Sequence, residues 1–192
     1  MHGQEPILLR NTFLNNMYTY VALLRGINVG GHKKVPMATL RERLTKAGFK
    51  NVQTYIQSGN VVLQSSEKNT KTIEAIIGKT ILSYFQFEVA VLVKTKQELD
   101  TIFKDCPFEN EKKEASYFLL LQETPDKDLV ALASKKEYKN EEYKIINNCI
   151  YFYNEAGYGK SKFNANYFER ALKTPATARN YRTMKKLIDL IT

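Results

Sequence analysis

The period of the apolar residues changes along this chain in an order that few folds accommodate. Tyr18 to Leu24 reads as a strand and runs into a glycine-rich bend. Pro36 then suits a first helical turn, and Met37, Leu40, Leu44 and Ala47 recur on one helix face until Gly48 stops it. Val52 to Gln57 and Val61 to Gln64 flank Ser58-Gly59-Asn60, a reversal with a glycine suited to positive φ, and read as a hairpin. From Ile73 the spacing is helical again, with Ile76, Ile77, Ile81, Tyr84 and Phe85 on one face, and Glu88 to Val93 is a further strand. Strand, helix, strand, strand, helix, strand is the order of a ferredoxin-like sandwich, with both helices on one side of an antiparallel sheet. The other side of that sheet is left to meet something else.

A weaker form of the order returns downstream. Thr95 and Glu98 make a capping box before Leu99, Ile102 and Phe103, and Asp105 to Glu114 is a charged connection. Ser116 to Leu121 repeats the composition of the first strand, a helix is predicted near Asp126 to Ser134, and Tyr143–Ile146 and Ile150–Tyr153 flank an Asn147-Asn148 turn. Asn164 to Leu172 and Met184 to Ile191 fit two helices, with no evident final strand between them. The expectation is an α+β chain of two ferredoxin-like halves, the second elaborated with C-terminal helices. Residues 1–16 read as a disordered leader or extension, 17–94 as one lobe, 95–114 as a connecting helix and loop, and 115–192 as the second lobe. Each lobe alone is small, so packing between them is expected.

Composition excludes several function classes. The 192 residues carry 29 Lys and Arg against 20 Asp and Glu, a net charge of +9. From Gly157 onward eight basic residues face two acidic ones, which favours phosphates or acidic partners. Two cysteines, Cys106 and Cys149, and two histidines, His2 and His32, supply no zinc-site spacing, so no metal site is expected. No cofactor motif is complete. Gly159-Lys160-Ser161 superficially matches a phosphate-binding loop, but Asn154 occupies the position of the preceding motif glycine. No apolar stretch approaches the ~20 residues of a membrane span, and a cytoplasmic protein without membrane or protein partner is the simplest expectation.

Two polar surfaces are candidates for an anion. Arg25, Asn28, Gly30 and Gly31 on the first bend join Gln57, Ser58 and Asn60 on the hairpin: the arginine can fork onto a carboxylate or phosphate and the amides can orient it. Lys160, Ser161, Arg179 and Asn180 place cations beside helix starts. The competing reading gives Gly30, Gly31 and Gly59 to turn geometry and Asn28 and Asn60 to their own backbone. Tyr18 with Tyr20, and Tyr151 with Tyr153, share strand faces, and are expected to pack between the halves rather than stack on bases. His32 lacks a partner acid, and neither cysteine sits in an activating motif.

Tyr20-Val21-Ala22-Leu23-Leu24-Arg25-Gly26-Ile27-Asn28-Val29-Gly30-Gly31 resembles a bacterial family known as domain of unknown function 1697. The likeness continues through Val52 to Val62, Pro107-Phe108, Gly159 to Lys162 and Thr177 to Met184, with Ala178 and Tyr181 departing from a common polar residue and a common tryptophan. That resemblance implies two ferredoxin-like halves and brings no reaction, cofactor or catalytic residue. The expected function is binding of an anionic ligand, nucleic acid or a nucleotide, in a cleft between lobes. An enzyme acting on a small phosphorylated or carboxylated metabolite, and a protein-interaction module, are the alternatives.

Overall fold

The computed structural model describes residues 16–157 and 160–192. The predicted leader, apart from its last residue, and Tyr158 and Gly159 of the glycine-lysine loop lie outside them. The first half runs β1 (Tyr18–Leu24), α1 (Met37–Lys46), β2 (Lys50–Tyr55), β3 (Asn60–Ser65), α2 (Thr70–Phe85) and β4 (Val91–Thr95), followed by α3 (Lys96–Lys104). After a short α4 (Asn110–Glu114), the second half runs β5 (Tyr117–Leu121), α5 (Lys127–Ala133), β6 (Glu141–Ile146), β7 (Cys149–Asn154), α6 (Ala165–Leu172) and β8 (Ala176–Asn180), followed by α7 (Tyr181–Leu190). The two antiparallel sheets have orders β2-β3-β1-β4 and β6-β7-β5-β8, the same topology twice.

The second half therefore has the final strand that the sequence does not reveal. β8 is Ala-Thr-Ala-Arg-Asn, poor in the branched and aromatic residues that mark strands, yet it pairs with β5 from Leu121–Ala176 to Tyr117–Asn180. Its pairing comes from the partner strand rather than from its own propensity. β4 likewise lies later than Glu88 to Val93, because α3 begins directly from its last residue: Thr95 accepts from Glu98 N while the Glu98 carboxylate accepts from Thr95 N.

β1 is buried on both faces, which explains its unbroken apolar run. Tyr20, Ala22 and Leu24 pack under α1 and α2 with Leu40, Leu44 and Ile77. Val21 and Leu23 point the other way, into a central layer with Leu99 and Ile102 of α3, Phe118 and Tyr151 of the second sheet, and Met184 and Leu187 of α7. A third layer, around Leu119, Ile150 and Phe168, lies under α5 and α6. The sheet faces turned away from α1 and α2 and from α5 and α6 thus share one apolar layer, with α3 and α7 packed into it. Tyr151 lies in that layer as expected and donates to the Ile102 carbonyl at 2.7 Å. Tyr20 does not: it sits under the first half's own helices and donates to the Glu67 carbonyl at 2.8 Å.

Matching struts cross between the halves. Where β1 ends, Arg25 bonds Glu169 of α6 at 2.5 Å; where β5 ends, Gln122 donates to Glu74 of α2 at 2.7 Å. Each glutamate also accepts from a backbone N–H of its own half's fourth strand, Ala176 for Glu169 and Val93 for Glu74, at 2.7 and 2.9 Å.

Candidate functional site

A recess opens at the junction of the halves, with a volume of about 690 Å³. Its first wall is the β1–α1 bend and the tip of the β2–β3 hairpin; its second is β8, the start of α7, and the segment 162–166 that leads into α6. Arg25, Lys162 and Arg179 line it, and among the described residues no carboxylate does. α6 opens onto it through Asn164, Ala165 and Asn166. Asn164 caps this helix by accepting from Tyr167 N at 3.1 Å, and since residues 164–166 line the recess, the N-terminal, positive end of the helix dipole borders it.

Arg179 forms the floor. It is 8% exposed, its Nε donates to Asn60 Oδ1, and its Nη1 donates to Thr177 Oγ1 and the Ala178 carbonyl. Nη2 reaches the carbonyls of Leu24, Ser58 and Gly59 at 3.1, 3.2 and 3.4 Å. These partners are neutral and burial dominates, so the guanidinium is pushed down to about 10. Arg179 is thus a cation held by neutral oxygens, with no ion pair to a carboxylate among the described residues. Arg25 is more open, its side chain 39% exposed; besides Glu169 it donates to Asn166 Oδ1 at 2.9 Å.

Other sequence candidates support these walls. Asn28, in a left-handed conformation at φ 56, donates to the Val35 and Gln57 carbonyls and accepts from Val35 N, tying the bend to the hairpin. Asn60 is fully buried and donates to the Tyr55 carbonyl and Ser58 Oγ. Ser58 and Asn180 line the recess, and Asn180 also caps α7 by accepting from Thr183 N at 2.9 Å. Gly30 and Gly31 make an exposed turn at φ 57 and 80, outside the lining, as are Gln57 and Lys160. Ser161 donates to Glu141 and accepts from Phe163 N; the Glu141 carboxylate also holds Asn154 and the Lys162 N–H, pinning this loop against β6.

Sequence reasoning placed Val29 and Lys162 within its candidate segments without giving them a role, and overlooked Asn164, Asn166 and Ile56 as lining residues. Asn164 carried a legible signal, a capping residue before an amphipathic helix; the others are brought in by contacts between distant segments. His32 is exposed on the turn, outside the recess. Cys149 is fully buried, and burial pushes its thiol up, away from nucleophilic use. Among the described residues there is no group of three or more metal-ligating side chains, and no helix is long and apolar enough to cross a membrane.

Comparison with known proteins agrees with this architecture. The family described as "Protein of unknown function (DUF1697)" matches residues 17–151, and the chain belongs to it. That match takes in the bend and hairpin wall and stops before the wall formed by residues 162–183. A solved structure, conserved bacterial protein SP0830 from Streptococcus pneumoniae, is similar over 92% of this chain and 100% of its own, with 28% identity and a TM-score of 0.68. No curated protein matches.

Proposed function

We propose that this member of the family binds a small anionic molecule, a phosphate ester or carboxylate, in the recess between its halves. One observation carries the reading: Arg25, Lys162 and Arg179 converge there beside the N-terminal end of α6, and among the described residues that line the recess none is acidic, the Glu169 carboxylate that pairs with Arg25 lying outside the lining. Arg179 supplies fixed positive potential from the floor, and its hydrogen bonds are already committed, so direct contact falls to Arg25, Lys162 and the first turn of α6. The volume, about 690 Å³, is that of a small-molecule site and favours a compact ligand over a nucleic-acid strand. A neighbouring depression with Arg182, Lys185 and Lys186 extends the basic surface, but Glu114 and Asp189 line it too and offset its charge. Nucleic acid is therefore the weaker reading.

Calorimetric titration of the full chain with phosphate monoesters and carboxylates at low ionic strength tests this. Millimolar or tighter binding is expected, lowered about tenfold or more in Arg25→Gln/Lys162→Gln, since each lost charge-assisted hydrogen bond is worth about 1.5–3 kcal/mol. Thermal unfolding of the same variant separates loss of ligand from loss of the Arg25–Glu169 strut. Absence of binding by every small anion would refute the proposal.

A further inference from the structure

Two large apolar side chains stand open to solvent at this recess: Val29 is 65% exposed and Ile56 is 51% exposed, one from each segment of its first wall. Ile56 is also held in the left-handed region, at φ 48. A β-branched side chain is strained there, and glycine, asparagine or aspartate is the ordinary occupant. The other described residues of this conformation are asparagines, lysines, a glutamine and glycines; the corresponding first residue of the β6–β7 turn is Asn147, at φ 52. The strain survives because the turn is fixed from several directions. Asn28 grips the Gln57 carbonyl, Asn60 grips the Tyr55 carbonyl, and Arg179 reaches those of Ser58 and Gly59. Backbone strain of this kind is commonly kept at ligand-contacting sites, and here two exposed apolar side chains stand together at the mouth of a cleft.

We infer that the ligand carries an apolar or aromatic body beside its anionic head, with Ile56 and Val29 covering that body while the head lies toward Arg25 and α6. The inference rests on the anion-binding reading of the same recess and adds the ligand's second half. Phe163 and Tyr117, which also line the recess, extend the apolar surface inward from the mouth. A small polar metabolite would leave the two aliphatic side chains uncovered.

The test compares phenyl phosphate with glycerol 1-phosphate, which have similar head-group charge and opposite body polarity, on the full chain. Phenyl phosphate is expected to bind roughly five- to tenfold tighter, the advantage of covering about half an isoleucine side chain. Ile56→Gly and Ile56→Asn both suit a left-handed residue, so both retain the fold; each should abolish the difference by weakening phenyl phosphate alone. Equal affinity of the two esters for the unaltered protein would overturn this inference while leaving the anion site intact. A preference for phenyl phosphate that survives both substitutions would overturn the role of Ile56. Failure of both esters, of inorganic phosphate and of benzoate and acetate to bind would overturn the anion site and this inference with it.

Discussion

Replacing Arg179 by methionine tests whether a buried cation can hold two lobes together without a carboxylate. Nε bonds Asn60, and Nη2, with two hydrogens, has three carbonyls of the first half within reach, so three full bonds cross the junction. At about 1.5–3 kcal/mol for each bond to a charged group, their loss costs roughly 4.5–9 kcal/mol. Methionine also removes the charge whose burial lowers the group from 12.5 to about 10, a relief of roughly 3 kcal/mol. The net expectation is a loss of roughly 1.5–6 kcal/mol, centred near 4 kcal/mol. With a urea slope of about 2 kcal/mol/M the unfolding midpoint falls by about 2 M. Arg179→Lys should restore little, because a lysine keeps the buried charge and loses the planar fork. In a double-mutant cycle with Asn60→Ala the pair should show a coupling above ~1 kcal/mol. An unchanged or raised midpoint in Arg179→Met would mean that the cost of burying the charge exceeds the bonds it makes, and would refute the reasoning.

Two further predictions probe the hairpin and the buried phenols. A Cβ on Gly59, at φ +81, would lie 2.6 Å from Leu24 Cβ and 3.1 Å from the Leu24 carbonyl, so Gly59→Ala should cost about 3 kcal/mol or more. Gly26→Ala, at φ +66 with nothing within 4 Å, should cost only the ~1–2 kcal/mol of the left-handed backbone; equal melting temperatures for the two would contradict the close approach. Burial pushes Tyr143 up to about 12 and raises Tyr151 further, whereas an unfolded tyrosine ionises near 10. Above pH ~10 the unfolded chain releases protons that the native one retains, so stability should fall as pH rises from about 10 to 12. Phenolate absorbance should lag in the native protein behind that in urea, and coincident titration curves would count against the burial of these rings.

The first half was legible because its local signals agree. Pro36 before Met37, the Thr95–Glu98 box and the glycine at the hairpin all coincide with the change of apolar period. β8 was not legible, since Ala176 to Asn180 carries little strand preference and is ordered by pairing with β5. Lys162 is a further case: the Glu141 carboxylate, 21 residues earlier, accepts from its N–H and holds the loop that carries it to the recess.

Local preference and the alternation of apolar faces are properties of neighbouring residues, so composition and order alone determined one ferredoxin-like unit, a second without its final strand, and the bends that bear polar side chains. What became of those side chains was decided by how the two sheets meet. Arg179 and Asn60 are 119 residues apart, and their bond exists because the two sheets share one apolar layer that brings β8 against the hairpin. That same contact commits the Asn60 amide oxygen to Arg179, sets Arg25 and Lys162 on one recess, and helps hold the hairpin turn in which Ile56 takes a conformation its own sequence would not choose. A carbonyl or a carboxylate is the better partner for a buried donor only when the tertiary fold has delivered it, and no spacing along the chain records that delivery.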